Sequence, residues 1–425
     1  MPFVAADRPR HGSPRVSRRR RAVLPSFAIA AAVLLATSLL PTRAGDELLP
    51  HAAPADVGMS ADRLAVIDRV VQRAIDAGGF PGAAVVVGRH GAIVWERGYG
   101  ALGGGSSAAV DPERTLFDLA SLTKVVATSA AAMVLVDEGR LGLDDPVGRY
   151  LPEFRAGAKG RVTIRHLLRH RSGLPAGRTL ASSAAESRRL VLGTALEAAP
   201  GERYEYSDLG PIVLGFVIER ITGEPLDRFV QHAVYARLGM QSTTFRPARA
   251  LAPRIAATEP GVPRGEVHDR ASHALGGVAG HAGLFGTAGD LAIFAQFMLD
   301  RGSRHGVRLV RDSTVAAFTR RGAEDRQALG WETCAGGGSC GQRLSRTAFG
   351  HTGFTGTSLW VDPERDLFVI VLTNWIAGRP GGGVAPVAVL HDVRADVADL
   401  AALAVVDGAP APMPDRMRSD ARIGW

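Results

Sequence analysis

Lysine is almost missing from this chain of 425 residues, which carries 50 lysine and arginine residues in all. Only Lys124 and Lys159 are lysines, and all the others are arginines. A guanidinium stays protonated at any biological pH, whereas an amine can be tuned to lose its proton and act as a base. Ser121 lies three residues before Lys124, and a helix would place both side chains on one face. That arrangement can make the serine a nucleophile.

Cysteine is equally scarce, since Cys334 and Cys340 are the only two in the chain. Two thiols alone make a poor zinc site. The pair flanks a glycine-rich pentapeptide, and in an exported protein we expect the two thiols to close this small loop as a disulfide. No cysteine stands directly after the apolar N-terminal run, which argues against a lipoprotein anchor.

Net charge is also nearly absent from most of the chain. The formal charge is +8, but residues 1–44 hold eight arginines and one acid, Asp7, and so contribute +7. The rest of the chain is close to neutral, with about one positive charge in excess. A basic footprint for nucleic acid is therefore missing from the body of the protein, and we expect no nucleic-acid partner.

The basic N-terminal segment has the pattern of an export signal. Arg18–Arg21 form a charged region, Ser26–Leu40 an apolar region, and Thr42-Arg43-Ala44 a small-x-small cleavage site. We expect residues 1–44 to be a signal peptide and the protein to be periplasmic or extracellular. The alternative is an uncleaved anchor, because Ala22–Leu40 is just long enough to span a membrane. Membrane contact is expected through this segment only.

Strand-like segments lie towards both ends of the remaining chain. Residues 83–87 and 92–99 form one expected hairpin, and residues 358–361 and 367–372 form another. The pattern from about 146 to 320 is largely helical. We therefore expect an α+β fold, in which both chain ends build one antiparallel sheet flanked by helices and a mainly helical lobe is added.

Domain boundaries follow from the same patterns. A polar leader occupies residues 45–58, Ser60 caps a first helix, and a last amphipathic helix runs from about 384 to 402. We expect one domain over residues 59–404. A proline-rich, flexible tail over residues 405–425 should follow it.

Two further motifs accompany Ser121 and Lys124. Tyr206-Ser207-Asp208 follows a Pro-Gly turn, and Gly350-His351-Thr352-Gly353 precedes the second hairpin. In this order the three motifs resemble those of the serine β-lactamases and penicillin-binding proteins. The match is closest to the class C branch, which includes D-alanyl-D-alanine carboxypeptidases and related esterases. It covers about residues 55–400 and implies the β-lactamase/transpeptidase-like form of the α+β fold. Flanking segments that also match are 117–124, 163–174 and 274–285.

The resemblance implies acyl transfer through an acyl-serine intermediate. Ser121 would attack a carbonyl carbon, and Lys124 would accept its proton or support the group that does. Tyr206 is the second candidate base, because a phenolate near Lys124 would be stabilised by its charge. The tetrahedral oxyanion needs two N–H donors, which the resemblance assigns to the backbones of Ser121 and Phe354.

Further residues are expected to bind substrate or to support the site, namely Asp208, His351, Thr352 and Gly353. The edge strand of the third motif can also pair with a peptide-like substrate by β-addition. We expect a small-molecule or peptide substrate, with peptidoglycan as one possible source.

No metal or other cofactor is expected. His268, His273 and His281 crowd one glycine-rich stretch, but their spacing matches no ligand motif. We expect this stretch to line the cleft, with Asp269 tying it down by hydrogen bonds.

Two positions depart from the family's β-lactamases, which usually have asparagine where Asp208 stands and lysine where His351 stands. An ionised aspartate only accepts hydrogen bonds, and close to Lys124 it favours the charged amine. A neutral histidine binds a substrate carboxylate less well than lysine at pH 7. Both changes favour a hydrolase of cell-wall D-Ala-type peptides or small esters. β-Lactamase activity stays an alternative, as does a non-catalytic sensor that binds peptidoglycan fragments or penicillin.

Overall fold

The computed structural model describes residues 48–322, 327–334, 337–378 and 385–423. The predicted signal or anchor over residues 1–44 lies outside the described residues and stays a prediction. The strands are β1 (Gly82–Arg89), β2 (Ala92–Gly103), β3 (Ser106–Ala109), β4 (Phe117–Asp118), β5 (Thr244–Phe245), β6 (Leu284–Gly286), β7 (Ser303–Arg304), β8 (Val307–Arg308), β9 (Glu332–Thr333), β10 (Phe349–Thr352), β11 (Ser358–Asp362) and β12 (Leu367–Thr373). The α-helices are α1 (Ala61–Asp76), α2 (Ala130–Asp137), α3 (Ile164–Leu168), α4 (Ala184–Gly193), α5 (Leu209–Thr222), α6 (Leu226–Val230), α7 (Ala236–Leu238), α8 (Arg270–Ala274), α9 (Ala288–Leu299), α10 (Asp312–Thr319), α11 (Val387–Leu403) and α12 (Arg418–Ile423).

A seven-stranded antiparallel sheet joins the two ends of the domain. Its strand order is β3-β2-β1-β12-β11-β10-β9. The first strand pairs with the last, with Ala83 opposite Thr373 and Val87 opposite Val369. The predicted hairpins are present as β1–β2 and β11–β12. The prediction of one antiparallel sheet built by both chain ends is therefore confirmed.

Both faces of this sheet are covered, because successive strand residues point to opposite sides. On one side Val85 and Val87 pack in a core with apolar residues of α1 and α11. On the other side Ala84 and Val86 belong to the larger core, which includes α9 and the helical lobe. The sheet is thus a middle layer, and the lobe is built on one of its faces.

The centre of the lobe is a continuous helical run over Ala120–Asp137. It starts as a 3₁₀ turn (Ala120–Leu122), widens to a π-helical stretch (Lys124–Ser129) and continues as α2. Its apolar residues face protein on all sides, as the sequence predicts. Among the described residues it is the one helix long and apolar enough to cross a membrane, but 83% of it is buried in the fold. It is therefore a core helix.

The expected flexible tail is corrected by the structure. Residues after 404 include α12, which packs against α1 and α11. Met417 is buried, and Arg418 forms ion pairs with Asp396 at 3.3 Å and Asp399 at 2.6 Å. The proline-rich composition suggested disorder, but these acids of α11 are buried and need a cationic partner. That requirement becomes visible only when the two helices are in contact.

The leader also packs against the domain. Leu49 is buried, the Ala52 N–H donates to the Ile93 carbonyl at 3.0 Å, and the Ile93 N–H donates to the Pro50 carbonyl at 2.8 Å. The ordered domain therefore begins about ten residues before the predicted boundary at residue 59.

A disulfide joins Cys334 and Cys340, which is the pairing that the sequence predicts. The Cys334 N–H donates to the Ala348 carbonyl at 2.9 Å. The covalent link therefore closes the loop next to β9, at the edge of the sheet.

Candidate active site

Ser121 lies on the strained 3₁₀ turn that follows β4 and opens the central helical run. Ala120, directly before it, has a φ of +46°, in the left-handed region that side chains rarely adopt. The Ala120 N–H donates to Asp118 Oδ1 at 2.9 Å, and the Leu119 N–H donates to the Leu284 carbonyl at 2.9 Å. Strain of this kind persists where surrounding contacts impose it, and it is common at functional sites. Here it presents Ser121 at the wall of a cavity.

Lys124 lies beneath Ser121, one helical turn along the chain. Its Nζ lies 2.8 Å from Ser121 Oγ, 2.8 Å from Asp208 Oδ1 and 3.4 Å from the His281 carbonyl oxygen. The lysine side chain is only 2% exposed. The amine therefore has three oxygen partners and almost no contact with solvent.

The surroundings of Lys124 favour the ammonium form. Burial lowers the pKa of the amine, but the negative charge that Tyr206 and Asp208 can place beside it has the larger combined effect, so the pKa lies above the ordinary lysine value. Burial likewise raises the pKa of the Asp208 carboxyl, and the charge of Lys124 outweighs it, so that pKa is lowered. In the free enzyme the two residues form an ion pair, which favours the charged form of Lys124 over the neutral amine.

Tyr206 completes a cluster of three side chains. Its hydroxyl lies 3.2 Å from Ser121 Oγ, and Lys124 Nζ lies 5.0 Å from the centre of its ring. The tyrosine precedes α5 and reaches the cavity from the helical lobe, across from the strand β10. Three residues that are up to 85 positions apart in the chain therefore meet at one oxygen atom.

His170 holds Tyr206 in place. The two rings stack with their centres 4.6 Å apart and their planes inclined by 28°. His170 Nδ1 accepts a hydrogen bond from the Ser207 N–H at 3.1 Å, as a neutral imidazole can. Burial, aided by the charge of Lys124, lowers the pKa of His170 to about 3. This histidine therefore supplies a fixed, uncharged surface behind the tyrosine ring.

The third motif approaches the turn of Ser121 very closely. A β-carbon at Gly353 would lie 2.7 Å from the Leu119 carbonyl oxygen and 2.1 Å from Thr357 Oγ1. Such contacts exclude any residue but glycine at this position without a backbone shift. Phe354 follows and lies on the same cavity as Ser121. The structure thus brings together the two residues whose N–H groups are predicted to bind the oxyanion.

Arg394 of α11 fixes this turn from behind. Its Nη2 donates to the Gly353 carbonyl at 2.6 Å and to the Thr357 carbonyl at 2.9 Å, and its Nε donates to the Gly356 carbonyl at 3.2 Å. Burial lowers the pKa of this guanidinium to about 9, so it remains charged at neutral pH. One buried cation therefore satisfies three backbone acceptors next to the predicted oxyanion donor.

His351 lies on β10 with its side chain inside the protein. It is 1% exposed, and its Nδ1 lies 2.7 Å from the Thr352 carbonyl oxygen. Burial lowers the pKa of His351 to about 3, so the ring is neutral. Its Nε2 is 3.9 Å from Glu332 Oε1, whose pKa burial raises to about 7. Of the two predicted roles, support of the site fits this position, whereas contact with substrate does not.

The glycine-rich histidine stretch forms one wall of the cavity. Asp269 accepts hydrogen bonds from the Ser272 N–H at 2.7 Å and from His281 Nε2 at 2.8 Å, as predicted for a residue that ties this loop down. His268 contacts Asp118 Oδ2 through its N–H at 3.0 Å and its Nδ1 at 3.1 Å. The three histidines do not converge, and His273 lies on neighbouring cavities.

One group of donors deserves a test as a metal site. Asp208, Asp269 and His281 offer ligand atoms within 4.8 Å of one another. Each of them already has a partner, because Lys124 pairs with Asp208, and Asp269 pairs with His281. A cation there would compete with the Lys124 ammonium, so the donor set suits the lysine better than a metal ion.

Sequence reasoning missed His170 and Arg394. His170 lies inside the segment 163–174, which already carried part of the resemblance, and its φ of +53° marks a special backbone position that only the structure reveals. Arg394 offered a better signal, since it is a cation between the apolar residues Val393 and Ala395 on a helix that packs into the core. A buried cation needs acceptors, but its partners could not be identified from spacing.

Comparisons with known proteins identify the family of this chain. A family model described as "Beta-lactamase" matches residues 67–393. A protein of Salmonella agona named "Putative D-alanyl-D-alanine carboxypeptidase" is 35% identical, with 84% of this chain and 92% of that protein covered. The protein of the same name from Salmonella typhimurium has the same identity and coverage.

Solved structures show the same fold. EstCE1, described as a hydrolase with promiscuous acyltransferase activity, is 25% identical with a TM-score of 0.62, covering 74% of this chain and 94% of that chain. A penicillin-binding protein homologue from Caulobacter crescentus is 21% identical with a TM-score of 0.65, covering 81% and 98%. The β-lactamase/transpeptidase-like fold implied by the sequence is thus confirmed, and the chain belongs to the beta-lactamase family as a serine hydrolase.

Proposed function

We propose that this protein is an exported hydrolase that cleaves an ester or an amide of the D-alanyl-D-alanine type through an acyl-Ser121 intermediate. The observation that carries the proposal is the position of Ser121 Oγ, 2.8 Å from Lys124 Nζ and 3.2 Å from the Tyr206 hydroxyl at an open cavity. A nucleophile and a base in mutual hydrogen-bond reach are the requirement for covalent catalysis by serine.

In the proposed mechanism Tyr206 is the base, and Lys124 is a fixed positive charge. The Ser121 oxygen forms a bond to the substrate carbonyl carbon while the serine proton moves to the Tyr206 oxygen, whose phenolate form the Lys124 ammonium stabilises. The backbone N–H groups of Ser121 and Phe354 bind the resulting oxyanion. The intermediate collapses to the acyl-enzyme, and the leaving group takes the proton from Tyr206. A water molecule then repeats the sequence, releasing the acid product and free Ser121.

The substrate class and the export rest on different supports. The relatives named as D-alanyl-D-alanine carboxypeptidases support a peptide substrate, and EstCE1 supports small esters. Asp208, in place of the asparagine usual in the family's β-lactamases, disfavours β-lactams as the main substrate. Export is supported by the charged and apolar regions within residues 1–44. Cell fractionation should place the full chain outside the cytoplasm and a variant lacking residues 1–44 inside it.

Covalent labelling tests the chemistry. A fluorescent fluorophosphonate should label the wild-type protein and fail to label S121A. Y206F should fold normally and label more slowly by about 10²- to 10⁴-fold, the usual contribution of a general base. Equal labelling of wild type and S121A would contradict the proposal.

One parallel assay of an ester, a D-Ala-D-Ala peptide and a cephalosporin tests the substrate class. We expect turnover of the peptide or the ester to exceed turnover of the cephalosporin. The S121A variant should turn over none of the three substrates. Saturable binding of peptidoglycan fragments without turnover of any substrate would instead identify a sensor.

A further inference from the structure

Two cavities meet beside Ser121. The first, of about 490 Å³, contains Ser121 and Tyr206 in its wall. The second, of about 740 Å³, continues between residues 180–182 and 259–263. The residues that line both cavities are Glu259, His268 and Arg270, and we call them the shared wall. A substrate that extends beyond its scissile bond into the second cavity has to pass this wall.

Most charges that line the first cavity are neutralised by partners. Lys124 neutralises Asp208, and His281 holds Asp269. His268 of the shared wall contacts Asp118, and this contact, together with other nearby acids, raises its pKa although burial acts in the opposite direction. Each of these groups already pairs with another side chain of the cleft, so none of them is well placed to pair with a charged group of a substrate.

Arg270 and Glu259 are different. Within the described ranges neither side chain has an ion pair or a hydrogen bond, although both stand on the shared wall. Arg270 is exposed and Glu259 is half-buried. They carry opposite charges, yet no ion pair joins them. Glu259 acts on His268 only through its charge, so its carboxylate oxygens stay open to a ligand. Two such charges of opposite sign at the junction of two cavities form a surface that matches a ligand with both charges.

Among the described residues of the two cavities, the other candidate cations are already engaged, and Asp118 holds His268. His351 is neutral and buried, and the Lys124 ammonium is enclosed by three oxygen atoms. Of the described residues that line either cavity, Arg270 is the one arginine or lysine. A guanidinium presents a fork of N–H donors that matches a carboxylate in two parallel hydrogen bonds. An ionised glutamate can only accept, and so it matches an ammonium group.

We propose that Arg270 binds a carboxylate of the substrate and Glu259 binds an ammonium group, so that the enzyme selects short peptides with both ends free. The inference rests on the proposed hydrolase function and adds the two residues that bind the charged groups of the substrate. Both are specificity-determining residues, and neither takes part in bond cleavage.

Four forms of one dipeptide test this inference. D-Ala-D-Ala is used with both ends free, N-acetylated, C-amidated, and blocked at both ends, and the released D-alanine or its amide is quantified. In the wild type, amidation should lower kcat/KM by on the order of 10- to 100-fold, as expected for loss of a charge-assisted hydrogen bond. R270Q should lower kcat/KM for the free dipeptide by a similar factor and should remove the effect of amidation. E259Q should in the same way remove the effect of N-acetylation.

Arg220 provides a matched control, because it is an exposed arginine near the end of α5 farthest from Asp208. R220Q should behave as the wild type with all four dipeptides. If R270Q lowers kcat/KM equally for free and amidated dipeptide, the role of Arg270 is structural and the inference is overturned. If the wild type reacts with fluorophosphonate but does not discriminate among the dipeptides, or hydrolyses none of them, the inference fails while the serine hydrolase stands. Absence of labelling would overturn the proposed function and the inference together.

Discussion

The substitution D208N probes the ion pair that keeps Lys124 charged. The two groups are 2.8 Å apart, and two unit charges at that distance interact by roughly 6 kcal/mol at an effective dielectric constant of about 20. The Asp208 side chain is 37% exposed, so solvent screens a large part of this energy. We therefore expect the pKa of Lys124 to fall by about 1–3 units, which is the usual effect of one close opposite charge.

The pH dependence of Ser121 acylation measures this shift. If Tyr206 is the base and Lys124 a fixed charge, deprotonation of Lys124 ends activity at high pH. In the wild type this alkaline limb should lie above the ordinary lysine pKa of about 10.4, because the pKa of Lys124 is raised. D208N should bring the limb down by about 1–3 pH units, into the measurable range. Labelling rates with a neutral fluorophosphonate between about pH 5 and 11 record the acid limb of both proteins and the alkaline limb of D208N.

The possible outcomes separate the alternatives. An alkaline limb that stays at the wild-type position in a folded D208N protein would refute the role of Asp208 in keeping Lys124 charged. A labelling rate that rises, instead of falling, as Lys124 loses its proton in D208N would show that the neutral amine of Lys124 is the base and would refute the assignment to Tyr206. D144N is a suitable control, because Asp144 pairs with Arg165 on the surface, and this variant should keep the wild-type profile.

Three further substitutions test the support of the site, each by urea unfolding. R394M removes the buried donor of three backbone carbonyls and should lower the free energy of unfolding by at least about 3 kcal/mol. A loss below about 1 kcal/mol would show that these hydrogen bonds do not hold the turn in place. E332Q removes a carboxyl whose pKa burial raises to about 7. Between about pH 5.5 and pH 8 the folded chain binds more protons at this group than the unfolded chain, so stability falls as the pH rises. The wild type should lose about 2 kcal/mol more than E332Q over this interval, and equal losses would contradict the raised pKa of Glu332. C334A/C340A opens a short loop and should cost about 2 kcal/mol under oxidising conditions, whereas an unchanged midpoint would show that the loop needs no covalent link.

The parts of the fold that depend on local pattern could be predicted from the sequence. The strands on either side of residues 90–91 and 363–366 are short runs rich in apolar and β-branched residues that end in turn residues, so both hairpins could be predicted. Their pairing into one sheet followed from the layer rules for strands at both ends of a domain. The apolar residues around Ser121 and Lys124 likewise identified a central helix, since a helix that is apolar on all sides has to be buried.

The parts that depend on distant contacts could not be predicted. Tyr206 was visible as a motif, but the ring of His170 that stacks on it is 36 residues earlier. Arg394 is 41 residues from the Gly353 carbonyl that it binds. The C-terminal helix α12 was mistaken for a disordered tail because its few buried residues make sense only against α11. In each case the role of a residue or segment depends on a contact with a distant part of the chain, which sequence spacing does not identify.

The π-helical stretch over Lys124–Ser129 gives this helix one place that can absorb the loss of a residue. A wide turn holds one residue more than an α-helical turn of similar length, so a helix that loses this residue can relax to regular α-helical geometry with its two ends still aligned. The regular turns of α2 have no residue to spare. A deletion there would rotate the residues before it by about 100° relative to those after it. Ser121 and Lys124 would then keep their mutual spacing but turn away from Tyr206 and Phe354.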